Sequence, residues 1–153
     1  MTVQYKNSVR LDRRLDSSPA QVWAVLADYP NISSWNSGVT KSYSTSEESS
    51  GVGAQRHCDL APLGGLEETI REWVPEERLA ISIDKASKVP IKHGLATFTM
   101  APDGEGTSFS LNYDYTAKGG PVAGLVGRMM RGQLEKGFNG FIDDLAPAAS
   151  AVA

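Results

Sequence analysis

An alternation of apolar and polar residues predicts that most of this chain folds as strands. Across residues 8–15, Val9, Leu11 and Leu15 alternate with polar side chains, the period-two pattern of a half-buried strand. The same period recurs six times between residues 39 and 116, with connections rich in turn-forming residues. The six predicted strands are 39–46, 53–60, 66–74, 79–86, 95–101 and 107–116. Their short connections predict an antiparallel meander.

Helical periodicity follows the first strand. Ser18 and Gln21 form a capping-box pattern around Pro19, which is favoured at the first helical position. The apolar stripe behind it reaches Tyr29, so we expect a helix of about three turns. Residues 31–35 are expected to add one more helical turn.

A second, much longer helical pattern follows Gly119-Gly120-Pro121 and runs to about Ala146. Pro147 is expected to end it, and residues 148–153 to form a disordered tail. Its apolar stripe changes direction, because the set Val122, Leu125, Val126, Met129 and Met130 points away from the set Leu134, Phe138, Phe141, Ile142 and Leu145. Three glycines, at positions 132, 137 and 140, lie at or after the change. Either a kink, a helix curved around the sheet, or close backbone packing at the glycines would explain this pattern.

Length and composition bound the function without naming it. The chain has 153 residues, 41% of them hydrophobic, and a net charge of −3, which predicts one domain over residues 1–147. Lysine and arginine are scattered along the sequence, so a nucleic-acid partner is not expected. The single cysteine and two histidines predict no disulfide, metal or other cofactor. With no leader pattern and no apolar run long enough to span a membrane, we expect a cytoplasmic protein.

The order of these elements, and several sequence stretches, resemble a known superfamily. Residues 18–30 (SPAQVWAVLADYP) and 35–39 (WNSGV) are similar to the opening of START-like, polyketide cyclase/dehydrase and birch-pollen-allergen proteins. Residues 68–79 resemble the fourth and fifth strands of that superfamily. Gly106-Thr107, Tyr113-Asp114-Tyr115 and Gly119-Gly120-Pro121 resemble the approach to its last helix. The resemblance extends from about Ser8 to Leu145.

This resemblance implies the α+β helix-grip fold, a seven-stranded curved antiparallel sheet wrapped around a long C-terminal helix, with two short helices after the first strand. It also implies a cavity for a hydrophobic small molecule such as a lipid, quinone or polyketide-like compound. The leading hypothesis is therefore sequestration or transfer of such a ligand. Two alternatives stay open, a polyketide cyclase or aromatase, and a protein-interaction module with a filled core. The superfamily has no universal catalytic motif, so no catalytic residue is carried over.

Strand parity predicts which side chains line the cavity. The inward-facing set is expected to include aromatic residues with polar tips and adaptable methionines. The candidate ligand-binding residues are Trp35, Arg56, Cys58, Glu68, Ile81, Phe98, Met100, Phe109, Leu111, Tyr113, Tyr115, Leu125 and Met129. The alternative interpretation is that these residues simply form the core.

Arg56 and Glu68 are the candidates for anchoring a polar group of the ligand and for proton transfer. An inward-facing Arg56 could anchor a carboxylate or enolate oxygen, with Tyr113 helping to orient it and Glu68 moving protons. The alternatives are an arginine that reaches water, a glutamate that pairs with Arg56, and glutamates, Glu68 and Glu72, that are solvated at the rim. Cys58 is interpreted as a small buried residue.

The sequence also predicts where two tryptophans and both histidines lie. Trp35 is placed at the cavity mouth, and Trp73 is expected to face outward from its strand. His57 and His93 are interpreted as surface or loop residues. We expect residues 122–130 and the Trp35 loop to move when a ligand enters.

Overall fold

Seven antiparallel strands form one curved sheet in the computed structural model, which describes residues 3–153. The strands are β1 (Asn7–Leu15), β2 (Lys41–Ser44), β3 (Gln55–Asp59), β4 (Gly65–Val74), β5 (Arg78–Ala86), β6 (Ile91–Asp103) and β7 (Gly106–Ala117). Their order in the sheet is β1-β7-β6-β5-β4-β3-β2. β2 to β7 thus form the predicted meander, and β1 joins it beside β7.

Strand β6 begins four residues before its predicted start. Gly94 interrupts the apolar pattern, but the ladder to β7 continues past it. A Cβ at this position would lie 2.4 Å from the hydroxyl oxygen of Tyr113. The ring of Tyr113 therefore takes the space that a side chain at position 94 would fill.

The helices are α1 (Pro19–Ala27) and α2 (Ala123–Ser150), with 3₁₀ turns at Tyr29–Ser34 and Gly120–Val122. The predicted capping box is confirmed, because the Ser18 hydroxyl accepts from the Gln21 N–H and the Gln21 side chain accepts from the Ser18 N–H. α2 packs against β1, β7 and α1 on the concave side of the sheet. This arrangement confirms the helix-grip α+β fold.

The expected end of α2 at Pro147 is wrong. The helix continues to Ser150, Ala149 is fully buried, and the Gln21 side chain donates to the Val152 carbonyl. Residues 148–150 are therefore helical, and the last turn packs on α1 instead of forming a disordered tail.

The apolar stripe of α2 is straight, contrary to the sequence interpretation. Its inner face consists of Ala123, Gly127, Met130, Leu134, Phe138, Ile142, Leu145 and Ala149. The first two residues of this face, Ala123 and Gly127, are small. A helical stripe read only from large apolar side chains therefore leaves them out. Leu125 and Met129 are consequently solvent-exposed, by 56% and 76%, and the prediction that they line a cavity is wrong.

Close packing occurs at a different glycine from those predicted. A Cβ on Gly127 would lie 2.0 Å from Asn7 Oδ1, and its carbonyl accepts a 2.5 Å hydrogen bond from the Tyr115 hydroxyl. By contrast, a Cβ on Gly132, Gly137 or Gly140 would meet no atom within 4 Å.

The outward placement of Trp73 is also wrong. The pairing of β4 with β5 shifts between Ile70 and Glu72, so Arg71 is an extra residue on its strand. Such a bulge reverses the parity of the residues that follow it. Trp73 therefore lies opposite the buried Leu79 and packs edge-on against Trp23 of α1, with ring centres 4.9 Å apart.

Candidate ligand-binding site

A buried ion pair lies inside the sheet where β3 meets β4. Arg56 and Glu68 are cross-strand partners, and both side chains point inward, where they are 6% and 10% exposed. Arg56 Nε donates to Glu68 Oε1 at 3.2 Å. Ion pairs removed from water stabilise a fold poorly compared with apolar packing. Their retention in an apolar interior is therefore a pointer to function.

The surroundings hold the guanidinium in one orientation. Arg56 Nη1 donates to the backbone carbonyl of Tyr29 at 2.8 Å, and the Tyr29 ring lies 4.0 Å from the guanidinium carbon. Burial opposes the charged form of Arg56, but the Glu68 carboxylate raises its pKa overall. The guanidinium is thus a fixed cation.

Cys58 completes the cluster as a thiol. Its Sγ donates to Glu68 Oε1 at 3.2 Å. Burial, and then the charge of Glu68, raise the pKa of Cys58. A thiol held in its protonated form is a poor nucleophile, so the interpretation of Cys58 as a buried structural residue is consistent with this geometry.

An inner pocket adjoins the ion pair, between α1, the Tyr29–Ser34 turn and the sheet. It has a volume of about 20 Å³, roughly the space of one water molecule. Its lining comprises Val25, Leu26, Asp28, Ile32, Trp35, Arg56, Leu79, Ile81, Phe98 and Phe141.

Two polar groups of this lining lack a protein partner. Trp35 Nε1 is buried and makes no hydrogen bond. Arg56 uses Nε and Nη1, whereas its Nη2 has no hydrogen-bond partner among residues 3–153. Both groups are donors, so this pocket is suited to an acceptor oxygen.

The other predicted lining residues form core instead. Met100, Phe109, Leu111, Tyr113 and Tyr115 are all buried and pack with the inner face of α2. Tyr113, for example, lies against Phe138, with ring centres 4.9 Å apart. The interior is thus largely filled, and no enclosed cavity of the size of a drug-like ligand, about 300 Å³ or more, is found at the inner pocket.

A larger open groove lies on the other side of Phe141, between α2 and the loop after the first 3₁₀ turn. It has a volume of about 470 Å³. Its lining comprises Asn36, Ser37, Gly38, Gln133, Lys136, Gly137, Gly140, Phe141 and Asp144. Phe141 lines both spaces, and its ring packs on Trp35 and Phe98 at 5.1 and 5.4 Å. The Phe141 side chain is therefore a wall shared by the inner pocket and the outer groove.

The loop side of the outer groove is attached to α2 by hydrogen bonds. Asp144 Oδ2 accepts from the Ser37 N–H and from the Ser37 hydroxyl, both at 2.8 Å. The helix side is open because Gly137 and Gly140 have no side chain to fill it.

The structure brings together only part of the predicted site. Trp35, Arg56, Ile81 and Phe98 line the inner pocket, and Cys58 and Glu68 lie directly behind Arg56. Tyr113 is not among the lining residues. Sequence reasoning missed Phe141 as a site residue, although its place in the helical stripe beside two glycines was a usable signal.

Fold and site together define a class, the helix-grip proteins in which a long helix closes the concave face of a curved sheet. The comparison with family models identifies the family within that class. The model described as "Polyketide cyclase / dehydrase and lipid transport" matches residues 6–149. The chain belongs to this family, as its sequence resemblance implied.

Solved structures share the fold at low sequence identity. Protein TTHA0849 from Thermus thermophilus is 18% identical, with a TM-score of 0.76 over 95% of this chain and 98% of that one. XoxI from Bacillus cereus is 17% identical, with a TM-score of 0.71 over 94% and 96%. DynU16, from the dynemicin biosynthetic locus, is 16% identical, with a TM-score of 0.68 over 94% of this chain and 47% of that one. No curated protein matches the sequence significantly.

Neither helix of the described residues combines the length and the apolar character that crossing a membrane requires.

Proposed function

We propose that this protein binds a hydrophobic small molecule, a lipid, quinone or polyketide-like compound, for sequestration or transfer. The observation that carries the proposal is the position of Phe141 between the inner pocket and the outer groove. Rotation of this one side chain joins the two spaces into a site of ligand size. The family, whose description includes lipid transport, supports the same class of ligand.

The two free donors give the ligand an orientation. An acceptor oxygen of the ligand, such as a carbonyl, carboxylate or enolate, enters first and accepts from Arg56 Nη2 and Trp35 Nε1. The apolar remainder then lies along Phe141 and the glycines of α2. Trp35 Nε1 is buried without a partner in the empty protein, which costs free energy that an acceptor on the ligand recovers.

This placement changes the part of α2 that is expected to respond to ligand. The inner pocket and the outer groove adjoin Gln133–Asp144, whereas the sequence suggested movement of residues 122–130. The loop at 36–38 is attached to α2 through Asp144, and its Asn36 N–H also donates to the Ile32 carbonyl. We expect the contacts to Asp144 to open when Phe141 moves.

Two glycine substitutions test the binding site. Gly137→Leu fills the outer groove, whereas Gly132→Leu adds the same side chain on the same helix, outside the residues that line this groove. We expect Gly137→Leu to weaken binding of a fluorescent fatty acid at least about tenfold, because about four buried methylene contacts are lost. Gly132→Leu should bind as the wild type does. Equal affinity in both variants, or an equal loss, would refute the proposed site.

The cyclase alternative is favoured by one observation, the inward orientation of both Arg56 and Glu68. In that case Glu68 exchanges protons with the ligand, and Glu68→Gln abolishes turnover of a linear polyketide analogue while leaving its binding intact. Turnover that persists in Glu68→Gln, or is absent from the wild type, excludes this alternative. The filled-core interaction module is excluded if fatty-acid binding depends on Gly137 as described.

A further inference from the structure

Successive connections of the antiparallel meander lie alternately at the two ends of the sheet. One end, which we call the lysine end, contains the start of β1, the connections 60–64 and 87–90, and the start of α2. These segments touch, because the Lys118 N–H donates to the Pro90 carbonyl at 2.9 Å and the Ser87 N–H donates to the Gly65 carbonyl at 3.0 Å. The opposite end contains the connections 16–18, 45–54, 75–77 and 104–105.

Charge follows this division. Six of the seven lysines lie at the lysine end, all with exposed side chains: Lys6, Lys41, Lys85, Lys88, Lys92 and Lys118. The opposite end carries exposed carboxylates: Asp16, Glu47, Glu48, Glu76, Glu77, Asp103 and Glu105. The molecule is therefore bipolar although its net charge is only −3, and at the opposite end Asp16 and Asp103 are paired with Arg14.

Two of these lysines have a carboxylate directly across the ladder, because Lys41 is paired with Asp59 and Lys85 with Glu67. Residues 85–102 and 115–134, which contain most of the lysine end, include no aspartate or glutamate. Of the carboxylates close by, Asp59 and Glu67 both contact His57. Asp84 is bound by Arg71, Ser82 and Thr69. These carboxylates are thus engaged by other side chains, and within residues 3–153 none of the six lysines forms a salt bridge.

Exposed apolar side chains occupy the same end. Val122, at the end of the 3₁₀ turn, and Leu125 and Met129, on α2, are exposed at positions i, i+3 and i+7, and Arg128 is adjacent to Met129 in the sequence. Leu63 on the 60–64 connection is 55% exposed. Its neighbour Gly64 lies close enough to Lys88 that a Cβ would contact that side chain at 3.0 Å.

We propose that the lysine end is a docking surface for the headgroup region of an anionic phospholipid membrane. Exposed apolar side chains and basic residues at the same end of a molecule suit this interface, with the apolar groups among the acyl chains and the cations at the phosphates. The opposite, acidic end is repelled by the same surface and orients the protein upright on it. This surface is separate from the ligand site, so either proposal can fail alone.

A nucleic acid matches this surface less well. Nucleic-acid interfaces are polar and positively charged, whereas the exposed side chains of Leu125 and Met129 are apolar. A membrane has an apolar interior that can bury those two side chains, whereas a nucleic acid does not.

Vesicle flotation of the full chain tests the surface. We expect binding to vesicles made of equal parts phosphatidylcholine and phosphatidylglycerol, no binding to phosphatidylcholine alone, and release by high salt. Leu125→Ser with Met129→Ser should weaken binding at least about tenfold, because two side chains no longer enter the acyl region. Lys88→Gln with Lys92→Gln should weaken it about 25-fold, since each lysine contributes about fivefold near an anionic surface.

Matched controls remove two exposed apolar side chains or two positive charges elsewhere. Val52→Ser with Val74→Ser acts at the opposite end, and Arg10→Gln with Arg14→Gln removes two charges from β1. Both controls should bind as the wild type does. The proposal is overturned if the wild type binds neither vesicle, if it binds both equally, or if the controls lose as much as the lysine-end variants. Tighter binding to a DNA duplex than to the anionic vesicles at the same salt would also overturn it.

Discussion

At the scale of single residues, the Arg56–Glu68 pair places two opposite charges in the interior of the protein. Removing one partner leaves the other charge buried without compensation, whereas replacing both with apolar residues restores packing. We expect Arg56→Met to lower the free energy of unfolding by about 3–5 kcal/mol. The double variant Arg56→Met with Glu68→Leu should recover most of that loss.

Urea unfolding of the two single variants and the double variant measures this coupling. If the double variant is as unstable as Arg56→Met alone, the two charges do not depend on one another. A stable double variant that no longer binds fatty acid would separate the role of the pair in binding from its role in stability.

His57 forms a second residue-scale cluster, on β3 between β2 and β4. Its Nδ1 contacts Glu67 and its Nε2 lies 2.7 Å from Asp59 Oδ1, while the ring stacks on Tyr43 at 5.1 Å. The hydrogen bonds to Glu67 and Asp59 raise the pKa of His57 above its value in the unfolded chain, which is about 6.5. The histidine therefore stabilises the fold through its protonated form.

The sign of the pH effect follows from that shift. The contribution of His57 is fully present below pH about 6.5 and is lost as the pH rises through the folded-state pKa. We expect the difference in unfolding free energy between the wild type and His57→Gln to shrink as the pH rises through that range. A difference that is constant or grows with pH would contradict the assignment, and NMR titration of the His57 ring gives the folded pKa directly.

At the scale of elements, the glycines of α2 divide into two kinds. Gly127 is needed for close approach, since a Cβ there displaces the Asn7 side chain, which donates to the Gly124 carbonyl. Gly132 faces open space, so alanine there should stabilise the helix by about 0.8–1 kcal/mol. We expect Gly127→Ala to be about 1–2 kcal/mol less stable than Gly132→Ala. Equal unfolding free energies for the two variants would show that Gly127 is not closely packed.

The local sequence pattern predicted which segments are helices and strands, but it did not predict the bulge in β4 or the start of β6. The capping box of α1 and the alternation of β7 are local signals, and both predicted their elements correctly. The bulge at Arg71 and the continuation of β6 through Gly94 depend on the neighbouring strands. Parity counted along one strand fails after a bulge, which is why Trp73 was placed on the wrong face.

At the scale of the whole molecule, two features arise only when several elements come together: the position of Phe141 and the clustering of the lysines. Phe141 belongs to both the inner pocket and the outer groove because α2, the 3₁₀ turn and the sheet converge on it. The lysines are distant in sequence, from Lys6 to Lys118, yet antiparallel order brings them to one end. A scattered charge pattern in the sequence thus becomes a bipolar surface.

The sequence by itself determined the strands, the capped helix, the long C-terminal helix and, through its family resemblance, the helix-grip fold. These depend on periodicity and caps, which are properties of neighbouring residues. Only the tertiary structure decided that Arg56 faces Glu68, that Leu125 and Met129 face solvent, and that Phe141 stands between pocket and groove. Those outcomes depend on strand register and on which small residues of α2 meet the sheet, and such contacts form between residues far apart in the chain.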